Sequence, residues 1–204
     1  MTDVPSKDPT ALATLVSSRV CHDLISPIGA VGNGLELLQS LVPPSPELAL
    51  IAESADTASA KLRFFRVAFG AAGSEMLDAR GLSQALSGMY GGGRISVDWE
   101  ASALERREAR LLFLLVLCAE SALPLGGKIH VEADAGTFRL YAEGRRTRFE
   151  PAPWGHLCRG DSFVDCSSAQ VHFLLLRSFA ASENLIPSLS EGENGFAIVL
   201  TPLT

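Results

Sequence analysis

The chain has 204 residues, of which 47% are hydrophobic and 20% charged, and its formal net charge is −6. This length and composition are typical of one or two small soluble domains with enough apolar side chains for a sizeable core. The acidic balance and the lack of a dense basic stripe argue against nucleic acid as the main partner.

The first ten residues, MTDVPSKDPT, are polar and contain two prolines, which is unlike a secretory signal peptide. The longest apolar run, residues 111–119, is too short to cross a bilayer. The four cysteines show no paired CxxC spacing. We therefore expect a cytoplasmic protein with reduced cysteines and no membrane partner.

Residues 19–38, RVCHDLISPIGAVGNGLELL, predict an amphipathic helix. Its apolar stripe comprises Val16, Val20, Leu24, Val31, Leu35 and Leu38. His22 lies about 160–180° from the centre of this stripe. Small or polar residues share its face, namely Ser18, Ser26, Gly29 and Asn33. A second protein can therefore approach the imidazole closely.

Asp23 follows His22 directly. It can orient the imidazole or accept a proton from it, which leaves the other ring nitrogen nucleophilic at neutral pH. Pro27 lies inside the helical pattern and predicts a kink one turn past the histidine. The alternative interpretation is an ordinary surface histidine on an amphipathic helix.

The segment HDLISP resembles the H-box of two-component histidine kinases, with Ser26 where many kinases carry Asn or Thr. The whole segment 19–38 resembles, more narrowly, the ChpT-type histidine phosphotransferases of alphaproteobacterial phosphorelays. Pro27, Asn33, Gly34 and Glu36 stand in register with the histidine. This resemblance implies that His22 is phosphorylated, that Asp23 assists it, and that the protein acts in cell-cycle regulation.

A second helix is predicted to begin near residue 46, because Ser45 is a favourable N-cap and Pro46 a favourable first helical residue. Its apolar residues follow a heptad spacing at Leu48, Ile51, Ala55, Ala58, Leu62, Phe65 and Phe69. The two helices predict an antiparallel hairpin. Because one hairpin cannot cover both apolar faces, we expect a homodimer that forms a four-helix bundle.

A turn near residue 43 places position 22 level with about position 65 of the second helix. Lys61, Arg63 and Arg66 are therefore predicted to lie near His22. They form either a solvated basic face or a group that steers an acidic partner or stabilises a phosphoryl group. The predicted partner-binding residues are Ser18, Arg19, Ser26, Gly29, Asn33, Lys61, Arg63 and Arg66.

The segment 70–81 is rich in Gly and Ala and breaks the heptad. We expect residues 1–75 to form the helical hairpin domain for dimerisation and phosphotransfer, and residues 76–204 to form a second domain. That domain alternates helix and strand, with helices at 81–89, 105–123 and 167–183 and strands at 94–99, 128–133, 137–143 and 196–201. The predicted fold class is α+β, with helices on one face of a mixed sheet.

The segment CAESALPLGGKIHV and the later strands resemble the ATP-binding domain of histidine kinases, the Bergerat fold. The matching positions are Ala119, Ala122, Pro124, Gly126, Gly127, Ile129, Val131 and Gly144. Cys118 stands where the family has the Asn that binds nucleotide-associated Mg²⁺, and a neutral thiol is a poor ligand for that cation. Ala142 replaces the adenine-binding Asp, Arg146 replaces a glycine, and GDSFVDCSSAQ replaces the glycine-rich lid. The resemblance implies a degenerate ATPase domain without a cofactor.

His156, Cys158, Cys166 and His172 are four potential zinc ligands within seventeen residues. Their spacing matches none of the usual zinc motifs, and His172 falls in an apolar helical pattern. We expect buried thiols and a core histidine here, and no metal site.

These features favour a histidine phosphotransferase over a kinase, because a phosphotransferase needs only a nucleophilic histidine and a docking surface. A receiver-domain partner supplies its own Asp, Mg²⁺ and cation. The resemblance implies a CckA-like hybrid histidine kinase as donor and CtrA-like and CpdR-like response regulators as acceptors. The alternatives are a non-enzymatic adaptor that binds response regulators and, third, a weak kinase.

Overall fold

The computed structural model describes residues 9–71, 73–134 and 136–203. The first eight residues of the segment interpreted above as unlike a signal peptide lie outside the described residues. The chain divides into two compact units. One contains the chain as far as Ala71 together with Gln84–Met89, and the other contains the segment that ends at Ser83 and the chain from Tyr90 onward. The boundary between residues 75 and 76 stays a prediction.

Two long helices form the predicted hairpin, α1 at Pro9–Leu41 and α2 at Pro46–Ala68. The helix α1 continues past Pro27 without a break. Ser45 caps α2 as predicted, because its hydroxyl accepts a hydrogen bond from the Leu48 amide at 3.1 Å. Pro46 occupies the first turn, where its missing N–H costs no hydrogen bond.

The remaining elements follow in chain order. The helices are α3 at Ala79–Tyr90, α4 at Arg106–Ser121, α5 at Pro151–Arg159 and α6 at Val171–Ser182, which a 3₁₀ turn at Ser168–Gln170 precedes. The strands are β1 at Met76–Leu77, β2 at Ile95–Glu100, β3 at Leu104–Glu105, β4 at Gly127–Asp134, β5 at Thr137–Glu143, β6 at Leu185–Glu191 and β7 at Gly195–Pro202.

The predicted heptad row of α2 is not its buried row. The buried residues of α2 are Leu48, Ala60, Phe64 and Ala68, whereas the predicted row beyond Leu48 is half-buried or, at Ile51, exposed. Ala60 is buried partly because α3 packs against it within the same unit. A Cβ at Gly88 of α3 would be only 3.0 Å from the Ala60 Cβ. The helix α3 thus covers a face of α2 that the heptad spacing alone does not select.

Five strands form one mixed sheet in the order β2-β4-β5-β7-β6, and β1 pairs with β3 separately. The pair β2 and β4 is parallel, and the other neighbours are antiparallel. The register places Ile129, Ala142 and Phe196 side by side on the buried face. Tyr141 and Lys128 lie on the other, more exposed face.

The helices α4, α5 and α6 cover the apolar face of the sheet. Residues 111–116 of α4 are all buried, which explains the nearly continuous apolar run in the sequence. The α+β class and the arrangement of helices against a mixed sheet are therefore confirmed. The sequence pattern did not predict α5, β6 or the two-residue strands β1 and β3, and the predicted span of α6, residues 167–183, is longer than the observed one.

Candidate functional site

His22 lies on the exposed surface of α1, where 83% of its side chain is accessible to solvent. Its Nδ1 lies 3.0 Å from Oδ1 of Asp23. The other carboxylate oxygen, Oδ2 of Asp23, lies 2.7 Å from Nε of Arg19, one helical turn earlier. One carboxylate thus joins the predicted histidine to a guanidinium that belongs to the same helix.

The Asp23 carboxylate determines which ring nitrogen of His22 carries the proton. The hydrogen bond from His22, and then the Arg19 guanidinium, hold the pKa of Asp23 below its ordinary value. An ionised carboxylate only accepts hydrogen bonds, so the facing Nδ1 must carry the ring proton. In the neutral ring, the lone pair is then on Nε2, which is the nitrogen that can make a nucleophilic attack.

Of the predicted basic residues, Arg66 interacts electrostatically with Cys21, the residue before His22. Burial raises the pKa of the Cys21 thiol, and the nearby Arg66 guanidinium offsets part of that rise. Lys61 instead lines a groove of about 470 Å³ along α2, together with Leu50, Glu53, Ser54, Thr57 and Ala58. The clustering of all three cations around His22 stays a prediction.

Ser18, one turn before His22, has a role within the chain that the sequence analysis missed. Its hydroxyl accepts a hydrogen bond of 2.6 Å from the Ala71 amide, just beyond the end of α2. A Cβ at Gly70 would collide with the Arg66 carbonyl oxygen. Only glycine therefore allows the backbone to pass this close to the last turn of α2. The hydrogen bond between Ser18 and Ala71 could have been expected from the hairpin register, which places the first part of α1 beside the end of α2.

The other predicted docking residues lie on an open part of α1. Ser26 and Asn33 are exposed. Gly29 is half-buried, and apart from its chain neighbours and the adjoining backbone of α1, no heavy atom lies within 4 Å of the position that its Cβ would take. Within the single chain, this face can therefore accept additional bulk next to His22.

Comparisons with known proteins identify the family of the chain. A model of the histidine phosphotransferase C-terminal domain matches residues 79–195. The protein phosphotransferase ChpT of Brucella abortus (strain 2308) is 34% identical over 176 residues, which cover 81% of this chain and 84% of that relative. The chain belongs to the histidine phosphotransferases. A solved structure of a bacterial phosphotransferase is 25% identical, covers 97% of this chain and 98% of its own, and superposes with a TM-score of 0.68.

Two glycines of the segment that resembles a kinase ATP-binding domain lie where the backbone leaves no room for a side chain. Gly126 has φ +83°, and a Cβ there would collide with the Arg94 carbonyl oxygen. A Cβ at Gly127 would likewise collide with the Glu143 carbonyl oxygen. The two matching glycines are therefore explained by close backbone approach between neighbouring strands.

The position that corresponds to the kinase Mg²⁺ ligand is enclosed. Cys118 is fully buried, and burial, followed by the neighbouring Cys158 of α5, raises the pKa of its thiol. Part of the core beneath the sheet is an aromatic cluster of Phe149, Trp154, Phe173 and Phe196, in which the ring centroids of Trp154 and Phe173 are 5.2 Å apart. A neutral, enclosed thiol does not suit a hard cation.

The four potential zinc ligands are distributed over α5, the following loop and α6. Among the residues that the structure describes, no three His, Cys, Asp or Glu side chains form a possible metal-binding group. Across the same residues, none of the helices has the length and apolar character required to span a membrane.

Proposed function

We propose that this chain is the histidine-bearing intermediate of a multistep phosphorelay, in which His22 takes a phosphoryl group from one receiver Asp and delivers it to another. The observation that carries this proposal is the exposed His22 imidazole with Nδ1 held by Asp23. Membership in the histidine phosphotransferase family supports it. No feature of the described residues favours the adaptor alternative over transfer.

Acceptance proceeds by attack of the Nε2 lone pair on the phosphorus of the partner's aspartyl phosphate. The N–P bond forms as the O–P bond breaks, and the bonding pair leaves on the partner's carboxylate. The ring becomes cationic with its proton on Nδ1, where the Asp23 carboxylate offsets the new charge. Delivery to the next receiver reverses these bonds.

We propose that the chain performs this transfer without a bound nucleotide. The enclosed Cys118 thiol and the replacement of the adenine-binding Asp by the buried Ala142 support this. The Mg²⁺ for each transfer would be bound by the receiver partner, which also contributes the reacting Asp.

The remaining partner assignments are part of the same proposal. A CckA-like hybrid histidine kinase is the proposed donor, and CtrA-like and CpdR-like response regulators are the proposed acceptors in cell-cycle control. The chain would work in the cytoplasm as a homodimer, with the apolar stripe of α1 buried in a four-helix bundle and without nucleic acid. The small residues around His22 would face the receiver.

Label transfer from a phosphorylated receiver domain tests the proposal. We expect the wild-type chain and a control His156→Gln variant to acquire label and to pass it to a second receiver, and His22→Ala to acquire none. Labelled Mg·ATP alone should give no phosphoprotein. Label on His22→Ala would overturn the assignment, and receiver binding without any transfer by the wild type would favour the adaptor.

A further inference from the structure

Arg19, His22 and Asp23 occupy positions i, i+3 and i+4 of one helix. Neighbouring positions such as His22 and Asp23 point about 100° apart and do not face each other in a helix. The Asp23 carboxylate therefore reaches the ring only in a side-chain conformation that turns it toward His22. Arg19, which lies one turn before both residues, is placed to select that conformation.

The contacts divide the carboxylate between its two neighbours. Arg19 Nε binds Oδ2 at 2.7 Å, and this leaves Oδ1 for His22 Nδ1 at 3.0 Å. The Arg19 side chain is 77% exposed, so packing does not hold it in place, and its described ion pair is with Asp23. A charged hydrogen bond of this length is among the stronger polar contacts.

We propose that Arg19 is a positioning residue that acts on His22 through Asp23, and not a contact for the receiver as the sequence predicted. By holding Oδ2, Arg19 keeps Oδ1 on Nδ1, fixes the ring proton there and leaves Nε2 free to attack. This inference rests on the proposed function of His22.

Loss of the Arg19 guanidinium is expected to change which nitrogen of the His22 ring carries the proton. The nitrogen that carries the ring proton is determined by the hydrogen bond that the ring makes. Without the guanidinium, the half-exposed Asp23 carboxylate can rotate toward solvent. The proton can then occupy Nε2, and a protonated Nε2 has no lone pair for phosphorus.

The first measurement is the tautomer of His22 in the full-length ¹⁵N-labelled chain, read from long-range ¹⁵N–¹H correlations near neutral pH. We expect the Nδ1–H form to dominate in the wild type and a mixture of forms in Arg19→Gln. Arg19→Lys should restore most of the Nδ1–H form, because an ammonium at the same position can still bind Oδ2. The exposed Arg80 of α3 supplies the matched control, Arg80→Gln, which should leave the His22 signals unchanged.

The second measurement separates positioning from partner binding. Phosphoramidate, a small donor, makes no receiver contacts, so a positioning role predicts that Arg19→Gln slows phosphorylation by phosphoramidate and by a phosphorylated receiver by the same factor, equal to the measured drop in the Nδ1–H fraction, about twofold to fivefold. The Kd for the receiver, measured by calorimetry, should stay within about twofold of the wild type, since a residue that acts only on His22 through Asp23 makes no contact with the receiver.

Two results would overturn the inference. One is an unchanged His22 tautomer in Arg19→Gln. The other is a weakened receiver Kd with a normal rate from phosphoramidate, which would make Arg19 a partner contact. Label that persists on His22→Ala would instead overturn the proposed function, while the tautomer measurement would still report on Arg19. The two failures are therefore distinguishable.

Discussion

His172 is a buried imidazole, and no charged group in the part of the chain that the structure describes compensates for its burial. It lies in α6 with 8% of its surface exposed, and its ring centroid is 4.7 Å from that of Phe173. Its Nε2 has no hydrogen-bond partner among the residues that the structure describes. Burial lowers its pKa to about 4, so the ring is neutral under ordinary conditions.

This burial predicts a loss of stability in mild acid. The pKa of His172 is lower in the folded chain than in the unfolded chain, so the unfolded state binds the proton first as pH falls from about 6.5 toward about 4. The loss should reach about 2 kcal/mol at about pH 5. We expect His172→Leu to remove this part of the pH dependence, measured as the free energy of unfolding in urea at about pH 7 and pH 5.

The exposed His22 supplies the control for this measurement. His22→Gln removes one imidazole without emptying a buried position, and it should keep the wild-type loss of stability between the two pH values. An equal loss in His172→Leu and the wild type would show that other groups cause the acid sensitivity.

At the residue scale, the sequence predicted contacts that lie within one or two helical turns. The pairing of His22 with Asp23 was predicted from the sequence and is present in the structure. The interaction of Ser18 with Ala71 joins residues that are 53 positions apart, and no local pattern reports it. The same holds for Cys118 and Cys158, which come together only when α4 and α5 both pack against α6.

At the scale of elements, the open face of α1 beside His22 is the proposed docking surface. Gly29→Trp should leave the helix intact, because no heavy atom beyond its chain neighbours and the adjoining backbone of α1 lies within 4 Å of its Cβ position and tryptophan is a better helix former than glycine. The indole should hold the receiver Asp away from the imidazole. Since about 1 Å of misplacement can cost about a hundredfold, we expect a comparable fall in the rate of label transfer.

Gly29→Ala separates bulk from the loss of glycine. It gives a similar gain in helix propensity with little added volume, so its transfer rate should stay near the wild-type value. Normal transfer by a folded Gly29→Trp protein would place the docking surface on another face of α1.

Two of the elements that the sequence failed to predict, α5 and β6, contain prolines. In α5, Pro151 and Pro153 fall in the first turn, where a missing N–H is tolerated, yet in sequence they indicate a loop. In β6, Pro187 lies in a strand at the edge of the sheet, the position that tolerates proline in a strand. The helices and strands with clear periodicity were predicted to within a few residues, whereas the buried row of α2 depended on α3 and was not.

At the scale of the whole molecule, much of the α1 surface is apolar and uncovered. Five residues of its predicted stripe are between 43% and 54% exposed, namely Val16, Val20, Leu24, Val31 and Leu38. The residues of α1 that the single chain buries are Thr14 and Cys21, on a different face. Soluble monomers rarely leave a continuous apolar stripe of this length in water. A second copy of the hairpin is the proposed cover.

The dimer proposal predicts that charge placed on this stripe disrupts assembly without unfolding the chain. We expect the double variant Val31→Glu/Leu38→Glu to sediment as a monomer at concentrations at which the wild type sediments as a dimer, because each buried carboxylate would lack a partner in the bundle core. Its helical circular dichroism should remain, since both side chains are already partly exposed in the single chain. Asn33→Glu, on the polar face, is the matched control and should stay dimeric. A wild-type chain that sediments as a monomer, or a double variant that remains a dimer, would show that the apolar stripe of α1 is not the interface.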